Sequence, residues 1–115
     1  MRILVSDQRS KIRSALRLLL EQEPDLRVVG EVSDIDSLMT SVRDNHPDLV
    51  LLDWEMTKRQ ETEILLVLRK LLPGIKVIAL SANPEVSSLA LKAGADAFVC
   101  KCDPADRLLA AMSAI

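Results

Sequence analysis

Leu49-Val50-Leu51-Leu52-Asp53 is four apolar residues running straight into a carboxylate. A run this short, with no polar residue to mark an outer face, predicts a strand buried on both sides. Four more short runs share its character: Ile3–Val5, Val28–Val32, Val77–Leu80 and Ala97–Cys100. Between the runs, apolar residues recur at helical spacing, each set forming one buried stripe. The first stripe is Ile12, Ala15, Leu16, Leu19 and Leu20, and the second Ile35, Leu38, Met39 and Val42. The third is Ile64, Leu65, Leu68, Leu71 and Leu72. Val86, Leu89, Ala90 and Ala93 form the fourth, and Ala105, Leu108, Leu109 and Met112 the fifth. The punctuation agrees. Ser33 is expected to cap the second helix, with Asp36 three residues on, and Asn45-His46-Pro47 to end it. Pro73-Gly74 closes the third helix, Pro84 and Pro104 sit near the starts of the fourth and fifth, and Gly94 suits a left-handed cap.

Five strand-helix units in a row predict a parallel sheet covered by helices on both faces. With right-handed crossovers, the expected arrangement is a doubly wound α/β fold of the flavodoxin-like (βα)5 type, strand order 2-1-3-4-5. The second strand supports that order. Arg27 and Glu31 flank and interrupt its apolar residues, as an edge position allows, while Leu49–Leu52 is apolar throughout.

Composition sets the outer limits. The 115 residues suit one domain, 1–115, and 49% of them are hydrophobic, enough for a core. Only 2% are aromatic, so that core is aliphatic. A net charge of -2 argues against direct nucleic-acid binding, which normally asks for a strongly basic surface. The chain opens directly on Arg2-Ile3-Leu4-Val5, with no leader and no membrane-length apolar run, so a cytoplasmic location is expected. Cys100 and Cys102 lie two apart, too close to staple a loop and without a zinc partner set, which fits a reducing compartment.

The chemistry is in how the strands end. The first run ends in Ser6-Asp7-Gln8, the third in Asp53, the fourth in Ser81 and the fifth in Lys101. In a parallel sheet these ends share one edge, and ligands of open α/β sheets bind outside it. Taken singly, an aspartate there is usually a turn residue and a lysine a solvated charge. Together they suit phosphoryl transfer, which needs positioning and positive charge more than covalent machinery. A carboxylate can attack phosphorus when cations neutralise the charge between them, and Mg²⁺ favours a few carboxylates plus water.

The same residues resemble a known family. Arg2-Ile3-Leu4-Val5-Ser6-Asp7 is similar to the opening strand and acidic turn of bacterial two-component response-regulator receiver domains. Pro47-Asp48-Leu49-Val50-Leu51-Leu52-Asp53 resembles their phosphoacceptor strand, and Val77-Ile78-Ala79-Leu80-Ser81-Ala82 their switch-hydroxyl strand. Ala93-Gly94-Ala95-Asp96-Ala97-Phe98-Val99-Cys100-Lys101 resembles their last strand with its lysine. The match spans the chain in order and is closest in style to receivers of helix-turn-helix transcription factors. It implies a signalling switch rather than a turnover enzyme. By the resemblance, Asp53 would take a phosphoryl group from a histidine kinase or phosphotransfer protein, Asp7 and Asp53 would hold Mg²⁺ with the Glu55 backbone carbonyl, and Ser81 and Lys101 would engage the phosphoryl oxygens. Ala82 leaves a path to the site. The resemblance places Phe98 at the switch aromatic, which would alter the face of the fourth helix, fifth strand and fifth helix, the face through which the family implies a homodimer.

Three positions depart from the family. Gln8 stands where a second acid usually binds the metal; a neutral amide coordinates more weakly, so Mg²⁺ affinity should fall. Thr57 replaces a usual proline and Glu61 a usual glycine, and Thr57 with Gln60 suggests that the third helix starts early. Two readings stay open for the Glu55 side chain: a solvated loop carboxylate, or an acid leaning in to compensate for Gln8. His46 is read as a surface residue, and Trp54 as packing beside the site. Arg17 is read as solvated, while Arg9 is either solvated or part of a kinase-docking surface. A redox role for the cysteines needs a lowered thiol pKa, to which Lys101 between them would contribute. The alternative function is a receiver-like interaction module that is never phosphorylated, with Gln8 as its mark. A nucleotide or flavin enzyme on this fold is disfavoured, because the chain has only Gly30, Gly74 and Gly94 and none lies in a first strand-helix turn.

Overall fold

Residues along the strands alternate between two separate cores, and that alternation organises the molecule. The computed structural model describes Met1–Ile115. Its strands are β1 (Arg2–Ser6), β2 (Arg27–Val32), β3 (Leu49–Asp53), β4 (Lys76–Ser81) and β5 (Ala97–Cys100). Its helices are α1 (Ser10–Glu21), α2 (Ile35–Asn45), α3 (Glu61–Leu71), α4 (Ser87–Ala93) and α5 (Ala105–Ala114). All strand pairings are parallel, in the order β2-β1-β3-β4-β5. This is the flavodoxin-like arrangement the sequence predicts, with β2 on an edge and β3 central.

Ile3, Val5, Leu49, Leu51, Ile78 and Leu80 point to one face and pack with Leu20 of α1 and Leu108 and Met112 of α5. Leu4, Val50, Leu52, Val77 and Ala79 point to the other, against Leu38 and Val42 of α2, Ile64, Leu65 and Leu68 of α3, and Ala90 of α4. Every residue of β3 is buried, because it has a strand on each side and helices above and below. Gly30 lets α2 close onto the sheet: a Cβ there would lie 3.1 Å from Leu4 Cδ1 and 3.2 Å from Ser41 Oγ.

The local expectations fare unevenly. Gly94 takes a left-handed conformation (φ 116°) and closes α4 as expected. His46 is exposed and ends α2 in the left-handed region, at φ 47°. The cap of α2 is Asp34, not Ser33: its carboxylate accepts the Ser37 N–H at 2.7 Å. That bond holds the Asp34 carboxyl below its ordinary pKa. The third helix does not start early. Trp54–Thr57 forms a separate 3-10 turn, Thr57 Oγ1 donates to the Trp54 carbonyl at 2.7 Å, and α3 begins at Glu61. Lys58 and Arg59 between them both have positive φ, 48° and 67°, which an α-helix does not admit. Leu89, expected on the buried stripe of α4, is 63% exposed; the chain turns from 3-10 to α-helix at Ser87 and only Ala90 is buried.

Candidate functional site

The β1, β3, β4 and β5 strands end on the same edge of the sheet, and their terminal side chains meet there. Asp7 and Asp53 are buried, at 0% and 2% exposure. Burial of two carboxylates together is costly unless a cation joins them. Lys101 does so: its Nζ lies 2.7 Å from Asp7 Oδ2 and 3.0 Å from Asp53 Oδ1. Burial, the largest single influence, lowers the Lys101 pKa; its hydrogen bonds and attraction to Asp7 and Asp53 together outweigh that, and raise it above the ordinary 10.5.

The backbone around the carboxylates is arranged by the same turns that end the strands. Asp7 Oδ1 accepts the Arg9 N–H at 2.9 Å, an Asx-type turn into α1. Arg13 Nη1 donates to the Asp7 carbonyl at 2.7 Å and fixes the turn from the helix side. Arg13 is a site-shaping residue that no motif in the sequence singles out; its return to a backbone oxygen six residues earlier is what distinguishes it. Arg17 pairs with Glu21 and Glu31 on the outer surface of α1. Asp53 Oδ1 accepts the Glu55 N–H at 3.1 Å, whereas Oδ2 has only the Gln8 N–H, at a long 3.4 Å. Trp54 is buried in the α2–α4 core next to the site.

Ser81 is buried at the end of β4, but its partner is Glu55. Its hydroxyl donates to Glu55 Oε1 at 3.0 Å, and the Ala82 N–H points to the same oxygen at 3.4 Å. The Glu55 residue is exposed, as the solvated reading has it, but its Oε1 sits on the donors at the end of β4. Gln8 is exposed, and lines a groove with Ser33, Asp34, Met56, Thr57 and Lys58. Phe98 is half-buried, packed against the α2–α4 core and paired in register with Ala79.

One correction concerns the cysteines. Cys100 and Cys102 are joined in a disulfide, their Cα atoms 5.2 Å apart. The turn after β5, in which the Asp103 N–H donates to the Cys100 carbonyl at 2.9 Å, brings them within the ordinary reach of such a bond, roughly 4.4–6.8 Å.

The donor set fits a hard divalent cation. Asp7 Oδ2 is buried with no aligned hydrogen-bond donor, held only by its ion pair to Lys101. Two carboxylates face a single ammonium, which leaves a net negative site lined with oxygen ligands, the type that Mg²⁺ takes.

Residues 3–113 match the family described as response regulator receiver domain. The chain belongs to that family. Receiver domains serve two-component systems, where they interact with histidine kinases or phosphotransfer proteins and generally bind Mg²⁺ at the phosphorylation site. The receiver is 37% identical over 111 residues to the nitrate/nitrite response regulator protein NarL of Escherichia coli K12, covering 94% of this chain and 51% of NarL. It is 29% identical over 115 residues to the transcriptional regulatory protein DegU of Brevibacillus brevis, covering 98% of this chain and 49% of DegU. The chain thus spans about half the length of these relatives. Among solved structures it resembles the response regulator domain of Thermotoga maritima CheB, with a TM-score of 0.85, 25% identity, and coverage of 99% of this chain and 94% of that one. No helix is long and apolar enough to cross a membrane.

Proposed function

We propose that this receiver, residues 1–115 acting as one unit in the cytoplasm, accepts a phosphoryl group on Asp53 from the phosphohistidine of a histidine kinase or phosphotransfer protein. The observation that carries the reading is the convergence of Asp7, Asp53 and Lys101, with one ammonium between two buried carboxylates. Asp53 Oδ2 is the freer oxygen of the acceptor and is the nucleophile. It forms a bond to phosphorus as the phosphorus–nitrogen bond of the donor breaks, and the imidazole nitrogen keeps the electron pair and takes up a proton. Lys101 neutralises the charge that gathers between carboxylate and phosphoryl oxygens.

Asp7, Asp53 and the Glu55 backbone carbonyl are the residues that would hold Mg²⁺, with the Gln8 amide as a weak fourth. The ion's contribution when bound is positive charge against the incoming phosphoryl oxygens. The Ser81 hydroxyl and Ala82 N–H are the donors for a phosphoryl oxygen. They carry Glu55 in its place here, so acceptance requires the Glu55 carboxylate to let go. Release of Ser81 toward the phosphoryl group, with Phe98 following, shifts the population of the α4–β5–α5 face. On that face Leu89 and Leu91 of α4 are 63% and 48% exposed, and a phosphorylation-dependent homodimer there is part of the reading.

The test is intact mass after incubation with acetyl phosphate and Mg²⁺, with Asp53→Asn in parallel. Gain of one phosphoryl group in the parent alone supports the reading and shows that Gln8 is tolerated. No gain across a wide Mg²⁺ range, from either acetyl phosphate or a phosphorylated kinase, leaves the unphosphorylated interaction module.

A further inference from the structure

Phosphoryl transfer to Asp53 engages Lys101 but neither of its two neighbours. Lys101 is the middle residue of Cys100-Lys101-Cys102, and the flanking sulfurs are bonded to each other. Closing this small ring constrains the backbone on both sides of the one residue whose ammonium spans Asp7 and Asp53. The Lys101 N–H also donates to the Ser81 carbonyl at 2.8 Å, so the ring is tied to the end of β4 as well.

The surroundings accommodate both oxidation states. Cys100 Sγ lies 3.8 Å from the Ala82 carbonyl oxygen, a position in which a thiol has an acceptor for its proton. The Cys102 N–H donates to the same sulfur at 3.4 Å, which favours electron density on it. Cys100 itself is buried at 5% exposure, whereas Cys102 is exposed. One sulfur is thus open to attack from solution and the other is placed to resolve the product. That division of labour is what reversible thiol–disulfide exchange needs.

We propose that Cys100 and Cys102 form a reversible dithiol–disulfide site, exchanging with small disulfides of the glutathione class, whose closure holds Lys101 on the acceptor carboxylates. In the oxidising direction the Cys102 thiolate attacks one sulfur of the small disulfide and expels the other half as a thiolate. The Cys100 thiolate then attacks the Cys102 sulfur and expels the second half. Two electrons pass from the protein sulfurs to the small disulfide, and the two protons from the cysteines end on the two released thiols. The site's effect on phosphoryl acceptance rests on the reading of Asp53 given above; the exchange chemistry does not.

The experiment equilibrates the chain in reduced and oxidised glutathione at stepped ratios. One portion is blocked with iodoacetamide and weighed. The other is given acetyl phosphate and Mg²⁺, and the rate of phosphoryl uptake is measured. The expected result is one transition from two alkyl groups to none, with uptake about tenfold slower in the dithiol state, because Lys101 is then less firmly placed. Cys100→Ser with Cys102→Ser should hold the slow rate at every ratio. Two alkyl groups at every ratio, or none even in excess dithiothreitol, overturns the exchange site. Equal uptake in both states overturns the coupling to Lys101. No uptake in either state, beside a clear alkylation transition, overturns the Asp53 reading and the coupling with it but leaves the exchange site standing.

Discussion

The strand β3 has an aspartate at each end, Asp48 just before it and Asp53 as its last residue, and the molecule uses them oppositely. Asp48 is an interstrand stitch. Its Oδ2 accepts the Arg2 N–H at 2.7 Å, its own N–H donates to the Arg2 carbonyl at 2.8 Å, and its carbonyl accepts the Lys76 N–H at 3.0 Å. Asp96, at the same end of β5, does likewise, taking the Val77 N–H at 2.8 Å and Arg69 at 2.9 Å. At the far end of β3, Asp53 meets another buried carboxylate and one shared ammonium. Asp48 is exposed and takes a single backbone N–H, and Asp96 has Arg69 as a dedicated partner, whereas the buried candidate acceptor shares its one cation with a second carboxylate. Identical side chains, one strand length apart, differ in whether water or another buried charge meets them.

The largest expected contrast comes from removing the ammonium. Lys101→Met leaves Asp7 and Asp53 buried side by side, so urea unfolding at neutral pH should show a loss of about 3 kcal/mol, and phosphoryl uptake should vanish. Added Mg²⁺ should recover part of that stability, because a second cation replaces the first; a loss that Mg²⁺ does not touch would break the comparison. Next come the two aspartates themselves. Asp48→Ala should cost about 1 kcal/mol of stability, insensitive to Mg²⁺, with uptake unchanged, since it strands the Arg2 N–H. Asp53→Asn should abolish uptake yet leave stability equal or higher, because it removes one of two like charges. Opposite signs in paired denaturation curves are the check.

A smaller effect is set by pH. The Lys101 pKa is raised in the folded state, so its stabilisation is complete below the ordinary value of 10.5 and is lost as pH rises through the higher folded value. The parent should therefore lose more stability than Lys101→Met above that pH, and the chain has no tyrosine to complicate the comparison. The smallest effect is expected from Glu55→Gln. Unfolding should change by less than about 0.5 kcal/mol, as for most surface positions, while uptake quickens because Ser81 is released more readily. Slower uptake would mean that Glu55 serves the cation and not the hydroxyl.

Much of this was legible in the residues because a parallel sheet gathers its strand ends by construction. The interruption of β2 by Glu31 and the unbroken Leu49–Leu52 run placed one strand at the edge and the other at the centre, and the alternation of strand ends with reactive side chains located the site. What escaped depends on which donor a loop side chain finds. Ser33 and Asp34 are both good caps, and only the backbone angle at Asp34 decides between them. Thr57 and Gln60 read as a helix start, but the left-handed pair Lys58 and Arg59 separates them from α3. Glu55 pairs with Ser81 and Ala82, a helix and a strand further along the chain, because those donors come near only in three dimensions. The cysteine pair was missed for a simpler reason: loop-closure reasoning treats a two-residue separation as useless, and it ignores what such a ring does to the residue inside it.

The order of the strands has a mechanical consequence. Asp7 and Asp53 end β1 and β3, each of which is clamped by a strand on both sides. Lys101 and Phe98 belong to the β5 end of the sheet, and β5 is four residues long with β4 as its only neighbour. One half of the edge is a rigid anvil and the other is a compliant margin, so a load applied at Asp53 deflects β5 before it strains the carboxylates that receive it.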